Sequence, residues 1–258
     1  RFFKESPSSD AVGTFRSKYD RNQFPYKSEL HYFLSDALDT AQMEALFQKL
    51  RPSVVVNCTS LSKERLQLSD PLELIPIYAL LPHLLVSFCS RFSARLIQIS
   101  SDGVFSGKKG NYGEEDMPDA YDLYGRSKLM GEVVAPECVT LRTSMIGHDP
   151  KLQNGLVSWF LNQKGTCAGF SNAIFSGFPV TVLARIIRDY VLSQPKLEGL
   201  YNLASAPISK FDLLRLISEI YDTGVTVIPD NSIKINRSLN ASSFNTATQY
   251  VAPSWREL

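Results

Sequence analysis

Tyr124 and Lys128 stand one helical turn apart in Tyr124-Gly-Arg-Ser-Lys128, and a segment of helical character continues from them through Val134. Residues at i and i+4 of a helix share a face, so this spacing brings a phenol and an ammonium together. A tyrosine with its ordinary pKa of about 10 is a poor acid-base catalyst at neutral pH, but a neighbouring cation favours the phenolate. Lys128 is therefore expected to acidify Tyr124, and the pair to relay a proton. Upstream, Ser100-Ser101-Asp102 closes a buried-type strand. In a parallel α/β sheet the carboxyl ends of strands are where ligands bind.

The elements that must position these residues alternate. Ala11–Phe15, Ser53–Asn57, Arg95–Ser100 and Val139–Arg142 read as strands, separated by segments of helical period. That alternation predicts a parallel sheet with crossover helices. Val54–Val56 and Leu96–Ile99 are almost continuously apolar, as strands covered on both faces are. The fold class is α/β, a Rossmann-type doubly wound parallel sheet. A helix is predicted over Asp39–Leu50, with Asp39 and Gln42 as a capping box and Met43, Leu46, Phe47 and Leu50 on one face, ending before Pro52. After Gly147 the pattern changes. A helix around Gly155–Gln163, a loop through Ser176–Gly177, a helix over Val180–Leu192, a short strand Tyr201–Ala204 and a capped helix from Ser209 suggest a smaller α/β domain. We expect residues 1–147 to bind dinucleotide and residues 148–258 mainly to bind substrate.

Arg1–Ser9 reads as the tail of a helix leading into a strand, so the opening strand and glycine-rich turn of a dinucleotide fold are expected to be missing from this sequence. Gly107, Gly110 and Gly113 do not replace that turn. Glu114-Glu115-Asp116 and Pro118 follow them instead of a helix, and acids there would repel a pyrophosphate. The first strand leads into Arg16-Ser17-Lys18 with no acid to receive a ribose 2′-hydroxyl, while Arg16 and Lys18 could meet a 2′-phosphate. This favours NADP, as NADPH, with NAD as the alternative.

Composition narrows the remaining classes. The 258 residues are 44% apolar and carry 27 basic against 26 acidic side chains, which leaves no charge excess of the kind a nucleic-acid surface needs. Cys58, Cys89, Cys138 and Cys167 lie far apart with no ligand spacing, which predicts neither a metal site nor a disulfide framework and fits a reducing cytoplasm. The apolar stretch Leu72–Cys89 is broken by Glu73, Pro76, Pro82 and His83, and we expect no membrane span there.

The run from Ile99 to Gly107, then Tyr112, Glu114–Pro118, Leu123–Glu132 and Leu141-Arg-Thr-Ser144, resembles the dTDP-4-dehydrorhamnose reductases, sugar-nucleotide enzymes among the extended short-chain dehydrogenases/reductases. The likeness extends from Asp36 through Arg237. It implies that Ser101 holds the substrate carbonyl, Tyr124 protonates its oxygen, and Lys128 binds the nicotinamide ribose. It also places Asp36 and Ala37 near the adenine, with Cys58, Thr59, Ser60, Thr143 and Ser144 beside the cofactor. On the substrate side it implies Asp102, Phe175, Ser176, Gly177 and Arg237, whose guanidinium suits a pyrophosphate.

Two departures bear on the substrate. Related dehydratases carry an Asp-Glu pair after the hydroxyl residue, whereas this chain has Asp102-Gly103, and a glycine cannot abstract a proton. Leu61–Pro76 also leaves the usual pattern and is expected to reshape the pocket. The resemblance implies reduction of a 4-keto-6-deoxy sugar nucleotide for surface polysaccharide, by a cytoplasmic enzyme with a small-molecule partner and with homodimerisation left open. An epimerase or epimerase-reductase would keep the same three residues. A non-catalytic alternative is a dinucleotide-binding regulatory subunit like the beta subunit of methionine adenosyltransferase.

Overall fold

The computed structural model describes residues 12–15, 31–33, 36–61, 66, 69–148 and 155–258. The expectations for Arg1–Ser9 and for Arg16, Ser17 and Lys18 fall outside these residues. β1 (Gly13–Phe15) and β2 (His31–Phe33) pair in parallel. α1 (Thr40–Leu50) follows, capped by Asp39, whose carboxylate accepts from the backbone N–H groups of Ala41 and Gln42 at 3.0 Å. The predicted capping box takes a different form, since the Gln42 amide bonds the Asp39 carboxylate at 2.6 Å and not its backbone. The helix closes at Arg51 in a left-handed conformation, one residue before Pro52.

β3 (Val54–Asn57) leads to α2, one continuous helix over Pro71–Phe92. Asp70 caps it and Pro71 sits in its first turn, where no N–H is needed. The expectation that Pro76 and Pro82 interrupt this stretch is corrected. Pro76 opens a π-helical turn over Pro76–Leu80, which widens the helix and absorbs the missing donor. The helix is long and apolar enough to cross a membrane by length and composition alone. Here Leu81, Leu85, Phe88 and Cys89 pack with Met43 and Phe47 of α1 on one face of a sheet.

That sheet is parallel throughout, in the order β3, β4 (Arg95–Ile99), β5 (Cys138–Arg142) and β9 (Gly199–Asn202), with Val54, Leu96, Val139 and Gly199 among the paired residues. Strand alternation sorts its side chains. Leu96 and Cys138 face α1 and α2, whereas Ile97, Ile99, Val139 and Leu141 face a second core containing Ile186, Ile187 and Phe244. Both faces are covered, as the doubly wound Rossmann-type reading requires. α3 (Leu123–Met130) lies between β4 and β5 in the chain, and α5 starts at Val180–Ile186 and continues through a π-helical turn over Ile187–Val191.

The later part of the chain adds a second sheet. β6 (Met145–Ile146) pairs with β8 (Phe178–Pro179), and α4 (Leu156–Leu161) lies between them in sequence. β7 (Thr166–Phe175) runs parallel to β11 (Thr226–Asn236) and antiparallel to β10 (Ile208–Ser209). α6 (Lys210–Tyr221) packs over these strands through Leu213, Leu214 and Ile217, and α7 (Ser242–Thr248) follows β11. The predicted Ser209 cap is present, its hydroxyl accepting from Asp212 N–H at 2.9 Å. β7 and β11 have no counterpart among the sequence expectations. Gly169 and Asn172 weaken the strand pattern in one, and the largely exposed β11 carries Pro229, Asp230 and Asn231 beside a register shift.

Candidate functional site

The site forms where β4 and β5 end. Ser101 leaves β4 and caps a 3-10 turn over Asp102–Val104, its hydroxyl accepting from Gly103 N–H at 2.9 Å and donating to Asp102 at a long 3.3 Å. α3 is capped by Asp122, which accepts from Gly125 N–H at 2.8 Å, so its first turn projects Tyr124 toward Ser101. Glycines permit the approach. A Cβ at 125 would overlap the Gly103 carbonyl and Ala120, and one at 103 would lie 3.0 Å from the Tyr124 ring and 3.1 Å from the Ser101 hydroxyl. α3 ends at Met130 and not at Val134, and Gly131, which caps it, sits flush on the Tyr78 carbonyl of α2.

Lys128 is buried one turn below Tyr124 and donates to the Ile99 carbonyl at 2.7 Å. An ammonium has three protons, and this bond engages one of them. Burial pushes its pKa down to about 8, against the upward pull of Glu132 and Cys58. The expected acidification of Tyr124 is corrected. Burial pushes the phenol up to about 12; the hydrogen bond with Ser101 works downward, while Tyr78, Asp102 and Asp122 add to the rise. Spacing placed a cation one turn away, but burial of the phenol sets the direction of the shift.

A buried ion pair fixes the far end of α3. Glu132 takes Arg142 of β5 in a two-pronged bond at 2.8 and 2.7 Å and accepts from Ser100 at 2.7 Å. The Arg142 guanidinium also lies 5.1 Å from the Phe105 ring, itself stacked on Tyr112. Helix, both strands and the loop after Ser101 are thereby held in one register.

The remaining predicted residues divide by position. Cys58, Thr59 and Ser60 are exposed at the carboxyl end of β3. Asp36 and Ala37 precede α1, where the Asp36 carboxylate accepts from Leu38 N–H at 2.9 Å. Thr143 is buried, and its carbonyl accepts from Asp102 N–H at 3.3 Å. The Ser144 carbonyl accepts from Phe178 N–H and lies under Gly177, where a Cβ would overlap it. Ser176 is buried with its hydroxyl accepting from Leu239 N–H at 3.1 Å, so it joins β7 to the segment after β11. Phe175 packs beside Trp255 and under the Lys210 ammonium, 5.1 Å from its ring centre. Arg237 lies 3.9 Å from Asp122, and its Nε is buried without a hydrogen-bond partner.

Lys210 escaped the sequence reading, although it directly follows the predicted Ser209 cap. Its pKa is lowered by burial and pulled back up by Asp102. Asp102 in turn is raised by burial and lowered by Arg237 and Lys210. Asp102 thus faces two cations, Lys210 and Arg237, the second of which also lies 3.9 Å from Asp122.

A sheet covered on both faces, with a Ser-Tyr-Lys set at its carboxyl edge, is a Rossmann-type architecture. Residues 21–223 match the family model described as RmlD substrate binding domain, and the chain belongs to that family. Among curated relatives, methionine adenosyltransferase 2 subunit beta of Xenopus tropicalis is 33% identical over 95 residues, 37% of this chain and 28% of that protein. The probable low-salt glycan biosynthesis reductase Agl14 of Haloferax volcanii is 31% identical over 116 residues, 43% of this chain and 39% of that protein. The chain therefore spans well under half the length of either relative. The fold matches the crystal structure of dTDP-4-dehydrorhamnose reductase from Bacillus anthracis in complex with NADP, with a TM-score of 0.75, 20% identity and 95% of each chain covered.

Proposed function

We propose that this chain uses NADPH to reduce the keto group of a 4-keto-6-deoxy sugar nucleotide, in the cytoplasm, for deoxysugar and surface-polysaccharide synthesis. The observation that carries the reading is the placement of Tyr124 beside Ser101 at the carboxyl end of β4, with Lys128 buried one turn below. Reduction requires an acid at the carbonyl oxygen, and a phenol with a pKa near 12 holds its proton until negative charge develops there. The long Ser101–Asp102 bond is weak enough to be exchanged for one to the same oxygen. A bound nicotinamide dinucleotide supplies the hydride to the carbonyl carbon. Tyr124 gives its proton to the oxygen, the product is an alcohol, and solvent returns a proton to the phenolate.

The exposed Cys58–Ser60 segment and the two uncommitted Lys128 protons suit the nicotinamide ribose, with Asp36 and Ala37 toward the adenine and Thr143 and Ser144 along the cofactor side. Lys210 and Arg237 would take the diphosphate, with Asp102 between them and Phe175, Ser176 and Gly177 forming the wall. Dehydration is disfavoured on two grounds: Gly103 has no base, and the Tyr124 ring fills the space a side chain there would need.

The similarity to methionine adenosyltransferase subunits favours a second reading, a dinucleotide-binding interaction module without turnover. The experiment is NADPH oxidation followed by absorbance over a small panel of 4-keto-6-deoxy sugar nucleotides. Turnover that falls by roughly 10²- to 10⁴-fold in Tyr124→Phe supports the reductase. NADPH binding with no turnover, joined to binding of a methionine adenosyltransferase, would favour the second reading.

A further inference from the structure

Tyr78 stands at the middle of the π-helical turn of α2 and is buried at 3% exposure. Its ring meets Tyr124 at 5.3 Å between centres with the planes at 86°, and the Lys128 ammonium lies 5.3 Å from its centre. Its hydroxyl accepts from Leu61 N–H at 2.8 Å and lies 3.1 Å from the Ser60 hydroxyl. Its carbonyl is the surface on which Gly131 ends α3. One side chain thus touches both members of the proton-relay pair and the segment after β3. The widened π turn aims it there, since a regular helix would rotate the residues after Pro76 to other directions.

We propose that Tyr78 is a positioning residue of this site, its ring sustaining the charged state of Lys128 and orienting the Tyr124 ring while its hydroxyl pins the loop at Ser60–Leu61. The proposal rests on the reading of Tyr124 and Lys128 as a proton-relay pair. A ring quadrupole attracts a desolvated ammonium, and a perpendicular contact fixes a neighbouring ring. The other groups facing Lys128 are Glu132 just beyond the end of its helix, Cys58 after β3 and the Ile99 carbonyl of β4. Glu132, held by Arg142 and Ser100, pulls Lys128 upward and stays in place in every variant at position 78. The Tyr78 ring lies 5.3 Å from the Lys128 ammonium, so a change confined to that ring is one Lys128 should register.

The test is direct titration of Lys128 by carbon NMR of lysine-labelled protein, its signal assigned by its loss in Lys128→Met. Phenylalanine at 78 keeps the ring, and trifluorophenylalanine drains its electron density at nearly unchanged volume. The midpoint near 8 is expected to stay within roughly 0.3 unit in Tyr78→Phe and to fall by roughly 0.5 to 1.5 units in the fluorinated variant. The alkaline limb of kcat/KM should move with it. Tyr78→Met, which fills much of the space without a ring, should shift the same way. An unmoved or raised midpoint in the fluorinated variant overturns the proposal. Because the titration needs no turnover, that result is distinct from failure of the reductase reading, which would leave the midpoint shift intact without catalysis.

Discussion

Replacing Lys128 with Met removes a charge that the fold holds at a disadvantage. Its pKa in the folded chain is about 8, against an ordinary lysine value of 10.5. The unfolded chain therefore binds the proton more tightly, and wild-type stability rises as pH climbs through that window. At pH 7 both states are protonated and the full penalty is present; near pH 10.5 the folded state has released its proton and most of the penalty is gone. At about 1.36 kcal/mol per unit, the difference amounts to roughly 3 kcal/mol. The Met variant has no such group, while other titrations, Tyr124 among them, are shared to first order. Wild-type minus variant stability should thus increase by roughly 3 kcal/mol from about pH 7 to about pH 10.5. Denaturant titrations at several pH values measure it directly. The variant also loses the bond to the Ile99 carbonyl, which offsets the curves but not their slopes. A pH-independent difference would refute the account of Lys128 as a desolvated ammonium.

The same ionisation predicts that kcat/KM falls as pH rises through about 8, where Lys128 loses the charge that holds the ribose and faces Tyr124; a profile flat to pH 10 would contradict it. Gly103→Ala should lower kcat by up to roughly 10²-fold with little change in unfolding midpoint, because its Cβ pushes the Tyr124 ring while the backbone accepts alanine. Unchanged turnover would show that the ring has room to spare. Glu132→Gln should destabilise the chain by roughly 3 to 5 kcal/mol in denaturant titration, since Arg142 would remain buried without its counter-ion. Lys210→Met should raise KM for the sugar nucleotide roughly 10- to 100-fold, leaving NADPH affinity unchanged. Equal weakening of both ligands would remove Lys210 from the substrate side.

The parts of the site legible in the sequence are those encoded over short distances. Tyr124 and Lys128 share a helix face by spacing, and Ser101 is marked by the end of an apolar strand. The sheet was legible for a related reason: β4 and β5 are rich in apolar residues and buried on both faces, and each face has its own core. The second sheet was not, because β11 is held mainly by pairing along β7, and backbone pairing leaves little trace in side-chain type.

What spacing could not reveal is how a neighbour acts once water is excluded. The Tyr–Lys pattern is compatible with acidification of the phenol in an open helix, yet in this fold burial dominates both groups, raising Tyr124 and lowering Lys128. Glu132 stands four residues after Lys128, but the helix ends at Met130 before reaching it, and its bond to Arg142 depends on β5 lying beside α3. Tyr78 left no signal at all, because its direction is set by a π turn and by Gly131, which lets the end of α3 close against it. Gly125 and Gly131 look like weak points in a helix by propensity. Their missing side chains are what bring Tyr124 and Lys128 against Ser101 and Tyr78, so the residues least favourable to the helix are the ones that make it part of a site.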